Sequence, residues 1–185
     1  MDEEGQQKND HHSMIVGLDP ATVTGWCLPI PGGATLTGEW SGKLATAAPT
    51  LGREADPEGV RFLRIFEAFM GLIDEYPQIR GAVYEHTHSK SKRATEVLGG
   101  VVAIILTVCE LRGLDYVPVP SPTLRAVARQ SGIEKAWDDI AGRGTLKEGM
   151  RLAAVSHLGR EVSNNESDAW WLTKWYEKNR ADGEL

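Results

Sequence analysis

The first order along the chain is a short apolar run, Met14 to Asp19 (MIVGLD), stopped by Pro20. A run of that length ended by a breaker predicts a buried strand with a turn at its carboxyl end. Thr22 to Pro29 (TVTGWCLP) and Ala34 to Ser41 (ATLTGEWS) predict two more strands, joined through Pro31-Gly32-Gly33 as an antiparallel meander. Val60, Leu63, Phe66, Phe69, Met70 and Ile73 then recur at three- and four-residue steps, the period of an amphipathic helix that Pro77 closes. Arg80 to Glu85 (RGAVYE) reads as a strand, Thr95 to Arg112 as a long apolar helix ended by Gly113, and Tyr116 to Val119 as a further strand. Ser121-Pro122 has the form of a helix start, with Ser as N-cap and Pro at the first position, leading into Thr123 to Gln130. Helices from about Thr145 to His157 and about Asn165 to Lys178 complete the pattern.

The order βββ-α-β-α-β-α-α predicts an α/β fold, a mixed five-stranded sheet flanked by helices. Met1 to Ser13 (MDEEGQQKNDHHS) has no period and reads as a flexible tail, in which the adjacent His11 and His12 make a poor metal site. Leu44 to Pro57 and Gly132 to Gly144 read as loops. Residues 14–185 are expected to form one domain, and 41% apolar content is enough for its core.

The net charge of −6 argues against a chain coated in basic surface. It leaves room for positive charge confined to where phosphates lie. Cys27 and Cys109 lack the CxxC spacing or histidine pair of a zinc site and are expected to be reduced, buried thiols. The longest apolar stretch, Val97 to Cys109, falls short of the ~20 residues of a bilayer crossing, and no basic-then-apolar signal opens the chain. The expectation is a soluble, cytoplasmic protein.

Three acids stand out by position. Asp19 and Glu85 each end an apolar strand, and ligands gather at the carboxyl ends of strands in α/β sheets. Asp168 lies near the start of the last helix, where the dipole tolerates negative charge and Ala169, Trp170, Leu172 and Trp175 would dock on the sheet. Singly, each is equally a turn residue, a strand-end surface acid or a helix-start acid. Together, carboxylates converging on one spot repel unless a cation neutralises them, and oxygen-only ligands select Mg²⁺, with Mn²⁺ able to substitute. Two such ions roughly 4 Å apart activate water and stabilise the leaving oxygen of a phosphodiester.

These residues also carry a resemblance. GLDPATVTGWCL (Gly17 to Leu28) resembles the first motif of the RuvC family of Holliday junction resolvases, and VYEHTHSKSKRATEVLGGVVAIIL (Val83 to Leu106) resembles the second. VPVPSPTLRAVARQSG followed by GTLKEGM is similar to the family's next strand, helix and lysine-bearing segment, and NNESDAWWLTKW resembles its closing acidic motif. The motifs run in order from Met14 to about Trp175. The resemblance implies a ribonuclease H-like fold, a homodimer, and paired Mg²⁺-dependent nicks across a four-way DNA junction. Asp19, Glu85 and Asp168 match the family's metal-binding acids, and Lys147 matches a lysine that approaches the scissile phosphate. Three residues before the last Asp, where the family has a further ligand, stands Asn165, which can coordinate through its carbonyl oxygen. Glu166 is the neighbouring candidate, less well aligned with Asp168 on a helix. The fourth ligand stays open between them. The compact domain and divergent motifs suit a phage-encoded version acting in an infected host, with a bacterial chromosomal origin as the alternative.

Charge adds candidate DNA contacts. Lys90, Lys92 and Arg93 crowd the loop after Glu85, and Arg125 and Arg129 share a helix face. Among the tryptophans, Trp170 and Trp171 read as core, while Trp26 and Trp137 are candidates to stack on unpaired bases. The helix Thr95 to Arg112 reads first as a fully buried core helix and second as a two-fold dimer contact, with Gly99-Gly100 permitting close approach. Two other functions compete: a branched-DNA-binding module of the same fold that does not cut, and a phosphotransferase of the actin and sugar-kinase type. The latter's first phosphate motif also pairs a strand-end Asp with Thr-Gly, but such proteins need two related domains.

Overall fold

Alternation along β1 (Met14–Asp19) assigns the two faces of the central sheet. Met14, Val16 and Leu18 are buried on one face with Ile65, Phe69, Val101 and Ile105 of two helices. Ile15, Gly17 and Asp19 therefore point to the other, where Cys27, Val83 and Val119 pack against Leu124, Met150, Trp171 and Leu172. The computed structural model describes residues 13–41, 57–86, 91–131, 146–183 and 185. Residues 1–12 of the expected tail with His11 and His12, residues 44–56 and 132–144 of the expected loops, Lys90 and Trp137 lie outside them.

The elements follow the expected order: β1, β2 (Val23–Pro29), β3 (Thr35–Ser41), α1 (Pro57–Glu75), β4 (Ile79–His86), α2 (Lys92–Arg112), β5 (Asp115–Pro120), α3 (Ser121–Gln130), α4 (Leu146–Leu158) and α5 (Asn164–Ala181). The strands form one five-stranded sheet in the order β3-β2-β1-β4-β5. β1, β2 and β3 are the antiparallel meander, and β4 and β5 run parallel to β1. The sheet is thus mixed, with α1 and α2 on one face and α3, α4 and α5 on the other.

Glycines decide how closely α5 approaches. A Cβ placed on Gly17 would sit 2.3 Å from the carbonyl oxygen of Ala169, and one on Gly25 would sit 2.2 Å from that of Asn165. The main chain of α5 therefore rests directly on β1 and β2, a contact only glycine permits. Since Gly25 pairs with Asp19 in register, the helix is pinned beside the end of β1.

Helix α2 departs from the expectation of full burial. Val97, Val101, Ile105, Val108 and Cys109 are buried, but Gly99, Ala103, Thr107 and Leu111 are exposed. Among the described residues α1 and the sheet cover it, which leaves an outward stripe of small and apolar residues. Among the described residues, Gly100 of the glycine pair meets the Phe62 ring, 2.2 Å from where a Cβ would sit, and nothing lies within 4 Å at Gly99. Gly113 ends the helix in the left-handed region at φ 62°, as its position past the last apolar residue predicts.

Other local readings sharpen. Cys27 and Cys109 are free and buried, and burial pushes both thiols up to about 12. Trp170 and Trp171 are core. Trp26 is not poised for a base: it is stacked on Trp40 at 6.1 Å, on the sheet face opposite Asp19.

Candidate metal centre

Asp19 and Glu85 meet because β1 and β4 are parallel neighbours whose last paired residues are Leu18 and Tyr84. One step further on, both acids project on the same face of the sheet. Helix α5, seated on Gly17 and Gly25, brings Asp168 to the same place. One carboxylate oxygen from each of Asp19, Glu85 and Asp168 lies within 4.8 Å of the others. Asp19 is 6% exposed and Asp168 9%.

This crowding has an electrostatic cost. Burial first, then the charges of Glu85 and Asp168 and a hydrogen bond with Glu85, push the Asp19 carboxyl well above its ordinary range, against an opposing pull from Lys147. Burial likewise raises Asp168, while the charge of Lys147 works to lower it. The ammonium of Lys147, on the first turn of α4, lies 3.3 Å from Asp168 Oδ2 and is itself half exposed. Lys147 is seen in an ion pair with the triad, and the three crowded carboxylates still hold their charge at a cost that a cation among them would relieve. The all-oxygen donor set, its net charge and its spacing all fit a hard divalent cation.

The triad opens into a cavity of about 570 Å³, whose wall includes Lys147, Asn165, Arg125, Arg129, Ser121 and Met150. Arg125 and Arg129 come from one face of α3, as their spacing predicts. Arg125 is close enough to Asp168 to lower its carboxyl. Lys92 stands apart: it is 92% exposed at the start of α2 and pairs across 4.0 Å with Glu96. Arg93 lines a separate hollow.

Ser121 was expected as an N-cap. Instead Pro120 occupies that position and Ser121 begins α3 with no side-chain cap bond. Its hydroxyl donates to Glu85 Oε1, since β5 pairs in register with β4 and delivers the residue after Pro120 beside the β4 terminus. Asn165 lies in the cavity wall, with Nδ2 donating to the Val23 carbonyl at 2.9 Å and to Glu39 at 3.1 Å. That leaves its carbonyl oxygen as the remaining polar atom.

Glu166 does not join the triad. Ser163 is the N-cap of α5, and Glu166 closes a capping box on it, accepting from the Ser163 backbone at 2.9 Å. The same carboxylate pairs with Arg160 at 2.6 Å and accepts from Thr37 Oγ1 at 2.9 Å. Burial works to raise this carboxyl, but the hydrogen bonds from Arg160, Ser163 and Thr37 outweigh it and hold it below its usual value. Its contribution to stability is present above the unfolded carboxyl range and is lost as pH falls through the depressed native value. Glu166→Gln is expected to lower stability by about 1 to 2 kcal/mol, as for a lost cap with its charge-assisted bonds. Thermal unfolding should show it, with divalent-cation affinity unchanged in calorimetry; a weakened cation would restore Glu166 as a ligand.

No family model and no curated protein sequence matches the chain. Solved structures do. A RuvC from Thermus thermophilus in complex with a Holliday junction substrate superposes with a TM-score of 0.67 at 13% identity, over 93% of this chain and 97% of that one. A second Thermus thermophilus RuvC structure gives 0.58 at 16% identity, over 92% and 96%. The yeast mitochondrial Holliday junction resolvase gives 0.55 at 10% identity, over 91% and 81%. The chain has the RuvC-like form of the ribonuclease H fold.

Proposed function

We propose that the chain is a structure-selective DNA endonuclease that resolves four-way or similarly branched junctions by paired, metal-dependent phosphodiester hydrolysis. The observation that carries this reading is the convergence of Asp19, Glu85 and Asp168 within 4.8 Å, in a cavity that also holds Lys147, Arg125 and Arg129. The fold it shares with two kinds of Holliday junction resolvase supports the choice of substrate.

Asp19, Glu85 and Asp168 would hold Mg²⁺ or Mn²⁺, two ions per site, with Asn165 as the candidate fourth ligand through its carbonyl oxygen. Bound there, the ions supply Lewis-acid stabilisation of phosphate charge and an activated water. The protein's own groups do the rest. Ser121 fixes the rotamer of Glu85 through its hydroxyl. Lys147 holds Asp168 and places a solvated positive charge at the cavity mouth, where a phosphate oxygen gains charge during cleavage. Arg125 and Arg129 hold the backbone of the strand along α3. Lys147→Met is expected to slow cleavage about 10²-fold while changing junction affinity little. Single-turnover cleavage beside an equilibrium binding titration separates the two.

The outward stripe of α2 supports a homodimer, which a nearly two-fold symmetric junction with two strands to cut would need. In such an arrangement Ala103→Arg introduces its charge twice at the interface. Sedimentation should then show a monomer where the wild type is a dimer.

The decisive assay incubates the protein with a synthetic four-way junction, a linear duplex and ATP, with Mg²⁺ or EDTA. Paired nicks on the junction in Mg²⁺ alone are the expected result. Tight junction binding without cutting in either Mg²⁺ or Mn²⁺ would make it a binding module, and ATP turnover without cleavage a phosphotransferase.

A further inference from the structure

A second hollow, of about 480 Å³, adjoins the carboxylate cavity and shares Ala21 and Leu98 with it. Its remaining wall is Thr22, Arg61, Ser91, Arg93, Ala94 and Val97. In a chain of net charge −6, two arginines and no acid line it among the described residues. The walls are continuations of the site itself: Ala21 and Thr22 follow Asp19 on the β1–β2 turn, and Ser91 to Ala94 open α2 after the β4 strand that carries Glu85.

Two further features indicate an anion. Arg61 Nε is buried and has no hydrogen-bond partner among the described residues, although a buried N–H donor rarely goes unused. The first turn of α2 also carries no acidic residue, and its N-cap Ser91 makes no side-chain cap bond. The backbone N–H groups of that turn therefore add their partial positive charge to the hollow. Gly100 keeps α1 close enough to α2, through Phe62, for Arg61 and Arg93 to line one space.

We infer that this hollow is a second DNA-phosphate subsite: Arg61 and Arg93, with the α2 N-terminus, hold a non-scissile phosphate of the strand whose scissile phosphate lies at Asp19, Glu85 and Asp168. The inference rests on the nuclease reading and adds to it a direction. The strand being cut leaves the carboxylates past Ala21 and Leu98, towards α1. Arg61 is then a specificity and positioning residue whose effect falls on substrate binding, because it touches a phosphate that does not react.

The test uses the full chain and a synthetic four-way junction in Mg²⁺, followed by single-turnover cleavage across a protein titration. Arg61→Gln is expected to raise the half-saturating protein concentration about tenfold, to reduce the salt slope of binding by about one, and to leave the maximal rate within about twofold. Arg61→Lys, which keeps the charge, should recover most of the affinity. Junctions carrying one neutral methylphosphonate at successive positions flanking the cut supply a second readout. One position should weaken the wild type by a similar factor and weaken Arg61→Gln no further. An Arg61→Gln protein that folds by thermal unfolding and binds like the wild type would overturn the subsite, as would equal methylphosphonate penalties in both proteins at every position. A wild-type chain that neither binds nor cuts junctions would overturn the nuclease reading and the subsite with it, and that result is visible before Arg61 is changed.

Discussion

Asp19→Asn is expected to reduce metal-dependent junction cleavage by about 10³-fold or more and, at the same time, to make the metal-free protein more stable. Both follow from one fact, that a nearly buried carboxylate faces two others. Burial and the charges of Glu85 and Asp168 raise its carboxyl, so the folded state keeps a proton that the unfolded chain releases. The fold is at full strength below the unfolded value near 3.8 and loses stability as pH rises through the raised native value. At neutral pH in EDTA the wild type carries that cost and the amide does not. A gain of about 1 to 2 kcal/mol is the size usual when a strained functional position is relieved. Mg²⁺ should stabilise the wild type by mass action and the variant much less. Melting curves in EDTA and in Mg²⁺, run beside the cleavage assay, measure both. A variant that cuts normally, or a wild type whose melting ignores Mg²⁺ and pH between 4 and 8, would remove the metal centre from the argument.

Gly25→Ala is expected to cost about 3 kcal/mol, more than a typical surface change in any strand, because the new methyl would have to displace the main chain of α5. The helix cannot yield locally, since the neighbouring Gly17 holds the same helix one turn on, at Ala169. What moves is the distance between Asp168 and Asp19, so activity should fall further than stability explains. Denaturant unfolding together with Mg²⁺ affinity checks this. Gly71→Ala is the control: among the described residues nothing lies within 4 Å of a Cβ there and it sits on an exposed face of α1, so it should gain up to about 1 kcal/mol from helix propensity.

Particular residues show what could be read from sequence and what could not. Asp19 and Glu85 were legible because each ends an apolar run whose alternation sets the side chain's face, and parallel strands put both ends together. Asp168 was legible as the acid on an apolar helix that had to dock somewhere. Glu166, the less well aligned of the two candidate fourth ligands, carried the signal of another role: Ser163-x-x-Glu166 is a capping box, and a helix begun at Asn164 commits that carboxylate to its own N-terminus. Ser121 and Gly25 are harder cases. The serine's partner depends on the register between β4 and β5, and the glycine's necessity depends on a helix some 140 residues later, consistent with the 142-residue separation of the Asn165–Val23 hydrogen bond. Neither is written in its neighbours. The outward stripe of α2 was the second of two readings for a related reason, since an apolar composition does not tell how many sides of a helix will be covered.

The seating of α5 on Gly17 and Gly25 also has a consequence in time. A ribosome delivers β1 and β4 before α4 and α5, and domains generally settle as their segments emerge. Until α5 has left the exit tunnel, Asp19 and Glu85 stand without Asp168, as part of a cation cage. On the nuclease reading, the cation cage would therefore be completed only once α5 has been made, well after the strands that carry its first two acids.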